Sequence, residues 1–459
     1  MMAEVKSSRV KVPSLLTVVS SKPTAPGRVH KFTALDHAMG FHTGHIVFYY
    51  RRNPIRDGAS MENDLDNLRI SLSELLCLYP PVTGRLGRGA DGNWEVKCND
   101  AGVRMLKANV CATLDEWLRY ANAAEERDLT VWEDLPDDPH IWSPFRIQIN
   151  DFNCGGLAVA ISFTHMHADF TSATLLIKSW AEIHRHEPVA HPPIFNLPSV
   201  INESAAYRRS SSMFSETNSE FEIPSVRMGR ATFKFSEAKI RQCLSKVHES
   251  CPDATPFDVL AALFWSKITR LKSPACDDDN KCSLSMCIDL RKRERDSIPY
   301  GYFGNALHFS KLSVNAEELQ SDRLAYIAGL VHQHVGSIRD EEFWANVAWL
   351  ESHKKEGGQY PPPFQLFGCE LTCLSMENTI SSEGSFTYAA MFKQNEKPIH
   401  VSYHIGNVGG EGLILVMPSP EEGLARIVMV TLPEEQIVKL CEDQTILGLQ
   451  PSMLLNGKQ

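Results

Sequence analysis

No stretch of this 459-residue chain is apolar for long enough to cross a bilayer; its longest apolar runs, Leu157–Phe163 and Leu413–Met417, have the length of strands. The segment Met1–Lys22 has no continuous apolar stretch of the kind a cleaved signal peptide needs, so a cytoplasmic protein is expected. There is no block of Lys and Arg, and the formal net charge is −10, which argues against nucleic-acid binding. The twelve cysteines are scattered from Cys77 to Cys441 without a C-x-x-C pair. The densest group, Cys276, Cys282 and Cys287 beside Asp277–Asp279, is spaced more widely than a structural zinc site, and reduced thiols are the expectation. His165 and His167, two positions apart, would share one face of a strand, but no third ligand accompanies them and no metal is expected. No internal repeat is evident.

What is present is the composition of a globular protein, 43% hydrophobic and 22% charged, long enough for two or three domains. Strand and helix signals alternate in the first half. Ile46–Tyr50 reads as a strand, and Asp64–Leu78 carries leucines at helical spacing until Tyr79-Pro80-Pro81 stops it. Phe145–Ile149 and Leu157–Phe163 read as a strand pair around Asn153-Cys154-Gly155-Gly156, and Ser172–His184 follows as a helix. Glu187–Ser225, rich in Pro and Ser, reads as a linker. Thr232–Phe235 and Ser236–Val247 resume as strand and helix. Thr255-Pro256-Phe257-Asp258 opens the next helix with a Thr cap and Pro in the first turn, and Trp265 belongs to its buried face. Leu413–Pro418 and Arg426–Thr431 are strands, and Pro433–Asp443 is a closing helix. These signals predict an α+β protein of two domains, 1–186 and 226–459, joined by a crossover at 187–225.

The chemistry concentrates at the end of one strand. Ile161–Phe170 reads as an apolar strand that ends in His165-x-x-x-Asp169 and enters a helix. A histidine at such a corner can sit at the mouth of a cleft and take a proton from an alcohol or an amine. By itself the pair is weak, because two residue types at one spacing recur by chance.

Further segments narrow the reading. Tyr79-Pro80-Pro81-Val82-Thr83-Gly84-Arg85-Leu86, Cys98-Asn99-Asp100-Ala101-Gly102-Val103, Gly155-Gly156-Leu157 leading to His165-x-x-x-Asp169, Asp289-Leu290-Arg291 and Tyr302-Phe303-Gly304-Asn305 stand in the order of the landmarks of the plant BAHD acyltransferases, and the chain resembles that family along nearly its whole length. The resemblance implies two chloramphenicol-acetyltransferase-like domains with a channel at their interface and His165 at its centre. It also implies that His165 is a general base for transfer from acyl-CoA, with no permanently bound cofactor. Asp169 would be structural, orienting the His165 loop through a bidentate pair with Arg291. Tyr302-Phe303-Gly304-Asn305 is expected to pack the domain interface rather than contact coenzyme A.

Two departures stand out against the family pattern. Phe170 occupies the position after the motif Asp where the family has Gly. The D-F-G-W-G motif before Lys397-Pro398 is replaced by Phe392-Lys393-Gln394-Asn395-Glu396, and the upstream T-x-W reads Thr372-Cys373-Leu374. Both losses resemble the eceriferum and glossy branch of the family, as do Met228-Gly229-Arg230 and the stretch from Val401 to Gly412. That branch is associated with very-long-chain acyl elongation for cuticular wax. The resemblance implies a condensing enzyme of the endoplasmic-reticulum elongase as protein partner and a peripheral location there. The competing expectation is an ordinary acyl-CoA-dependent O- or N-acyltransferase. A monomer is expected.

Overall fold

The computed structural model describes residues 8–55, 61–131, 133–197, 226–271, 281–291, 298–320, 323–355, 357–360, 370–381, 384–406, 408–421 and 423–457. Cys276 with Asp277–Asp279, and the part of the expected linker at 198–225, lie outside them. Two sheets dominate the described residues. The first has six strands in the order Val10–Val18, Val103–Val110, Phe145–Phe152, Leu157–Thr164, Thr43–Tyr50 and His400–Ile405. The second has seven, in the order Leu307–Asn315, Lys281–Asp289, Thr372–Ser375, Leu413–Pro418, Arg426–Pro433, Met228–Phe235 and Ser452–Leu454.

Alternation along the first sheet sorts its side chains. Ile46, Phe48, Tyr50, Val159, Ile161 and Phe163 point toward the helices Met61–Leu76 and Phe170–His184, and belong to one apolar cluster that continues into Phe303, Phe309, Leu374 and Leu415 of the second half. The helix Pro256–Leu271 is buried in a separate cluster with Phe233, Phe235 and Val428, and Trp265 is part of that core. Its entry follows the expected capping: the Thr255 backbone N–H and hydroxyl donate to Asp258 Oδ2 at 2.8 and 2.9 Å.

The edge strand of the first sheet comes from the far end of the chain. His400–Ile405 pairs antiparallel with Thr43–Tyr50, placing His404 opposite His45 and His400 opposite Tyr49. The opposite face of this sheet is polar where the two halves meet. Buried Glu126 accepts from Tyr49 Oη at 2.6 Å and from Arg230 Nη1 at 3.3 Å, and lies 3.1 Å from His404 Nε2. Arg230 belongs to the second sheet, so one carboxylate ties both sheets together. Burial alone would raise the Glu126 pKa, and His404 and Arg230 overcome it and hold the carboxyl far below its usual range. Arg230→Met should lower the unfolding free energy by about 2–4 kcal/mol in urea titrations, because it strips a buried carboxylate of a cation.

Candidate active site

The strand Leu157–Thr164 ends one residue before His165, and the corner after it is fastened to residues 40–42. The His165 N–H donates to the His42 carbonyl at 2.6 Å, and the Met166 N–H to the Gly40 carbonyl at 2.9 Å. His165 and His167 therefore stand in a turn, not on a strand, and their rings take different partners. His167 Nδ1 is 2.5 Å from Thr164 Oγ1, and its ring meets Phe32 edge-on at 4.9 Å. Among the described residues no group of three or more His, Cys, Asp or Glu side chains is arranged to hold a metal.

The His165 imidazole is 1% exposed, and its Nδ1 lies 2.9 Å from Asn305 Oδ1. The orientation of that amide is fixed by where its N–H groups go. Asn305 Nδ2 donates at 2.7 Å to Asp36 Oδ1 and at 2.7 Å to the His165 carbonyl, both of them acceptors. Oδ1 is thus left to face the ring, which makes Nδ1 the protonated nitrogen and leaves the basic lone pair on Nε2. Asp36 is itself held by the Asn305 N–H at 3.1 Å and by the Thr33 N–H at 2.8 Å. Burial pushes its carboxyl pKa up, and these hydrogen bonds oppose that. Burial also pushes the His165 imidazole down to about 4, with Asp169 pulling against it and His42 adding to it. The ring is therefore neutral at pH 7, and burial makes it a weaker base than an exposed imidazole.

Asp169 caps the helix Phe170–His184, with Oδ1 accepting from the Ser172 N–H at 2.8 Å. Its other oxygen accepts from Arg291 Nη1 at 2.8 Å and from the Ala306 N–H at 3.0 Å. The expected bidentate pair is not formed, because the cap occupies one oxygen. Arg291 instead distributes its donors. Nη1 also reaches Asp289 Oδ2 at 2.6 Å, and Nη2 reaches Ser172 Oγ at 2.9 Å and the Tyr302 and Gly304 carbonyls at 3.0 Å each. Burial would lower the Arg291 pKa, and the Asp169 and Asp289 carboxylates overcome it and hold it raised. Gly304 permits this turn, since a Cβ there would lie 2.6 Å from Tyr302 Oη. The segment Tyr302–Asn305 is buried, and Asn305 contacts His165, which its motif alone did not assign.

The two departures in sequence occupy different places. Phe170 is the first residue of the helix, and its ring meets the His165 ring at 6.0 Å and 77°. Phe392 packs on Trp180 at 4.9 Å and His184 at 5.7 Å, toward the other end of that helix. Ten residues of helix separate Phe170 from Trp180, about 15 Å along its axis. Phe392 therefore does not cover the imidazole. A small apolar void of about 10 Å³, room for one water-sized sphere, lies among Leu72, Leu76, Val103, Phe145 and Trp180.

A model of the family described as the Transferase family matches residues 9–447. The chain belongs to that family, the BAHD acyltransferases. Among its relatives, Protein ECERIFERUM 2 of Arabidopsis thaliana is 25% identical, with 94% of this chain and 97% of that protein covered. Hydroxycinnamoyltransferase 1 of Oryza sativa subsp. japonica is 27% identical, with 87% and 91% covered. The crystal structure of vinorine synthase superposes with a TM-score of 0.70 at 19% identity, covering 96% of this chain and 98% of that one. The F. sporotrichioides TRI101 complex with coenzyme A and T-2 superposes at 0.69 and 14% identity, covering 94% and 100%. These BAHD structures carry the chloramphenicol-acetyltransferase-like fold expected from the sequence.

Arg291→Met should cost about 3–5 kcal/mol in urea unfolding, because it leaves Asp169 and Asp289 as buried like charges; Arg291→Lys should recover only part of this, keeping the charge but lacking a planar fork for the two carbonyls. Stability should also fall with acid. Burial holds His165 and His400 at about 4 and His167 at about 3, all below 6.5. Their contribution is complete above pH 6.5 and is lost as pH falls through these values, since only the unfolded chain takes up protons in that window. Urea midpoints measured from pH 7 to pH 4 should decline, and His165→Gln should flatten the decline.

Proposed function

We propose that this chain promotes elongation of very-long-chain fatty acyl groups for cuticular wax, with acyl-CoA as its ligand and a condensing enzyme of the endoplasmic-reticulum elongase as its partner. The observation that carries this reading is the enclosure of His165: an aromatic ring stands edge to face beside the buried imidazole where the family pattern has a glycine. The near end-to-end match to Protein ECERIFERUM 2 and the replaced Phe392–Glu396 segment support it. No helix among the described residues is long and apolar enough to cross a membrane, so a protein partner would supply the peripheral location at the reticulum. Co-expression in yeast with a very-long-chain condensing enzyme should lengthen the fatty-acid products, and His165→Ala should retain most of that effect. An unchanged product profile would overturn the reading.

A second reading, acyl transfer from acyl-CoA to a hydroxyl or amine, is favoured by the intact Asp36–Asn305–His165 chain. In it His165 Nε2 takes the acceptor's proton as the acceptor attacks the thioester carbonyl. The tetrahedral intermediate then expels the coenzyme A thiolate, which recovers the proton from the imidazolium. Asp169 and Arg291 would position the corner without touching substrate. Purified protein should consume a CoA thioester in the presence of a suitable acceptor, and His165→Ala should slow that by about 10²-fold or more. No thioester consumption across a broad acceptor panel would remove this reading.

A further inference from the structure

Phe170 has an ordinary helical backbone, outside the left-handed region that favours glycine. What distinguishes a Phe from a Gly here is therefore volume. A side chain at the start of a helix leans back over the preceding turn, which in this chain is the His165 corner. The Phe170 ring is 3% exposed and meets Phe163 at 5.7 Å and Tyr403 at 5.4 Å, in both cases edge to face. Room for Phe163 comes from Gly44, its partner in the antiparallel register, where any Cβ would collide with the Phe163 ring. Tyr403 is held in turn, its hydroxyl 3.0 Å from Thr174 Oγ1, and Thr174 donates to the Phe170 carbonyl at 2.7 Å. A glycine, three rings and a threonine thus fit together beside an imidazole already tied to Asn305.

We propose that Phe170 is a positioning residue for His165: its ring closes a second flank of the imidazole, keeps water from it and excludes an acyl acceptor from that side. The charged and titratable groups that act on the ring, Asp169 and His42, and its hydrogen-bond partner Asn305 are all retained in variants at 170. The proposal rests on His165 as the centre of the site, but its test needs no turnover.

The test compares the parent protein with Phe170→Gly, Phe170→Ala and Phe170→Tyr. Carbon-13 NMR of labelled histidine rings, assigned with His165→Gln, gives the titration midpoint, and mass spectrometry follows carbethoxylation of His165 by diethylpyrocarbonate. In the parent the ring should stay neutral down to about pH 4 and react slowly. The Gly and Ala variants should shift the midpoint toward 6.5 and react at least about tenfold faster, whereas Tyr should behave as the parent. Tyr403→Leu, which loosens the same wall from its far side, should move both readouts in the same direction even where the 170 variants do not fold. An unchanged midpoint and rate in the folded Gly or Ala variant, or in Tyr403→Leu, would overturn the proposal. A negative result in the yeast elongation assay bears on the proposed function alone and leaves these readouts intact.

Discussion

One guanidinium holds the site in shape. Arg291 is wholly buried between Asp169, which begins the helix after the His165 corner, and Asp289, which ends a strand of the second sheet. Two carboxylates at such depth repel one another and cost heavily in desolvation; with a cation between them the same groups become a clamp. The clamp is directional because every donor of Arg291 has a defined acceptor. The Tyr302 and Gly304 carbonyls are among them, so the turn that delivers Asn305 to the imidazole is set by the group that anchors the helix. The clamp thus delivers Asn305, and Asp36 with the His165 carbonyl then orients its amide and sets the tautomer of His165.

The order of strands and helices was legible because alternation and capping are local. Leu157–Thr164, Pro256–Leu271 and Leu413–Pro418 lie where apolar runs, a Thr cap and strand-length hydrophobicity place them. The pairing of Asp169 with Arg291 came from resemblance to a family, since nothing local links residues 122 positions apart. What spacing could not show was the sharing. Asp169 spends one oxygen on its own helix, a demand of backbone N–H groups that a sequence motif does not display. His404 gave no signal because its partner Glu126 sits in a short helix far away in sequence, and the pairing exists only once two strands have met. Asp36 is similar: it closes a capping box with Thr33 and also anchors Asn305, a pairing across 269 positions that no local pattern displays.

Phe170 and Phe392 show that two departures from one pattern need not act together. Both are buried aromatic residues, Phe170 as the first residue of the helix beside the imidazole and Phe392 packed near the end of that helix. Only the first can alter what reaches His165. The second packs on Tyr50, Trp180 and His184.

The strand His400–Ile405 has a consequence for how the chain can be cut. A fragment ending at residue 197 would expose the bare flank of Thr43–Tyr50, a row of unsatisfied amides and carbonyls that invites aggregation. Its complement would carry Arg230 and His404 without the carboxylate that receives them. The pieces 1–197 and 226–459 would therefore each supply what the other lacks.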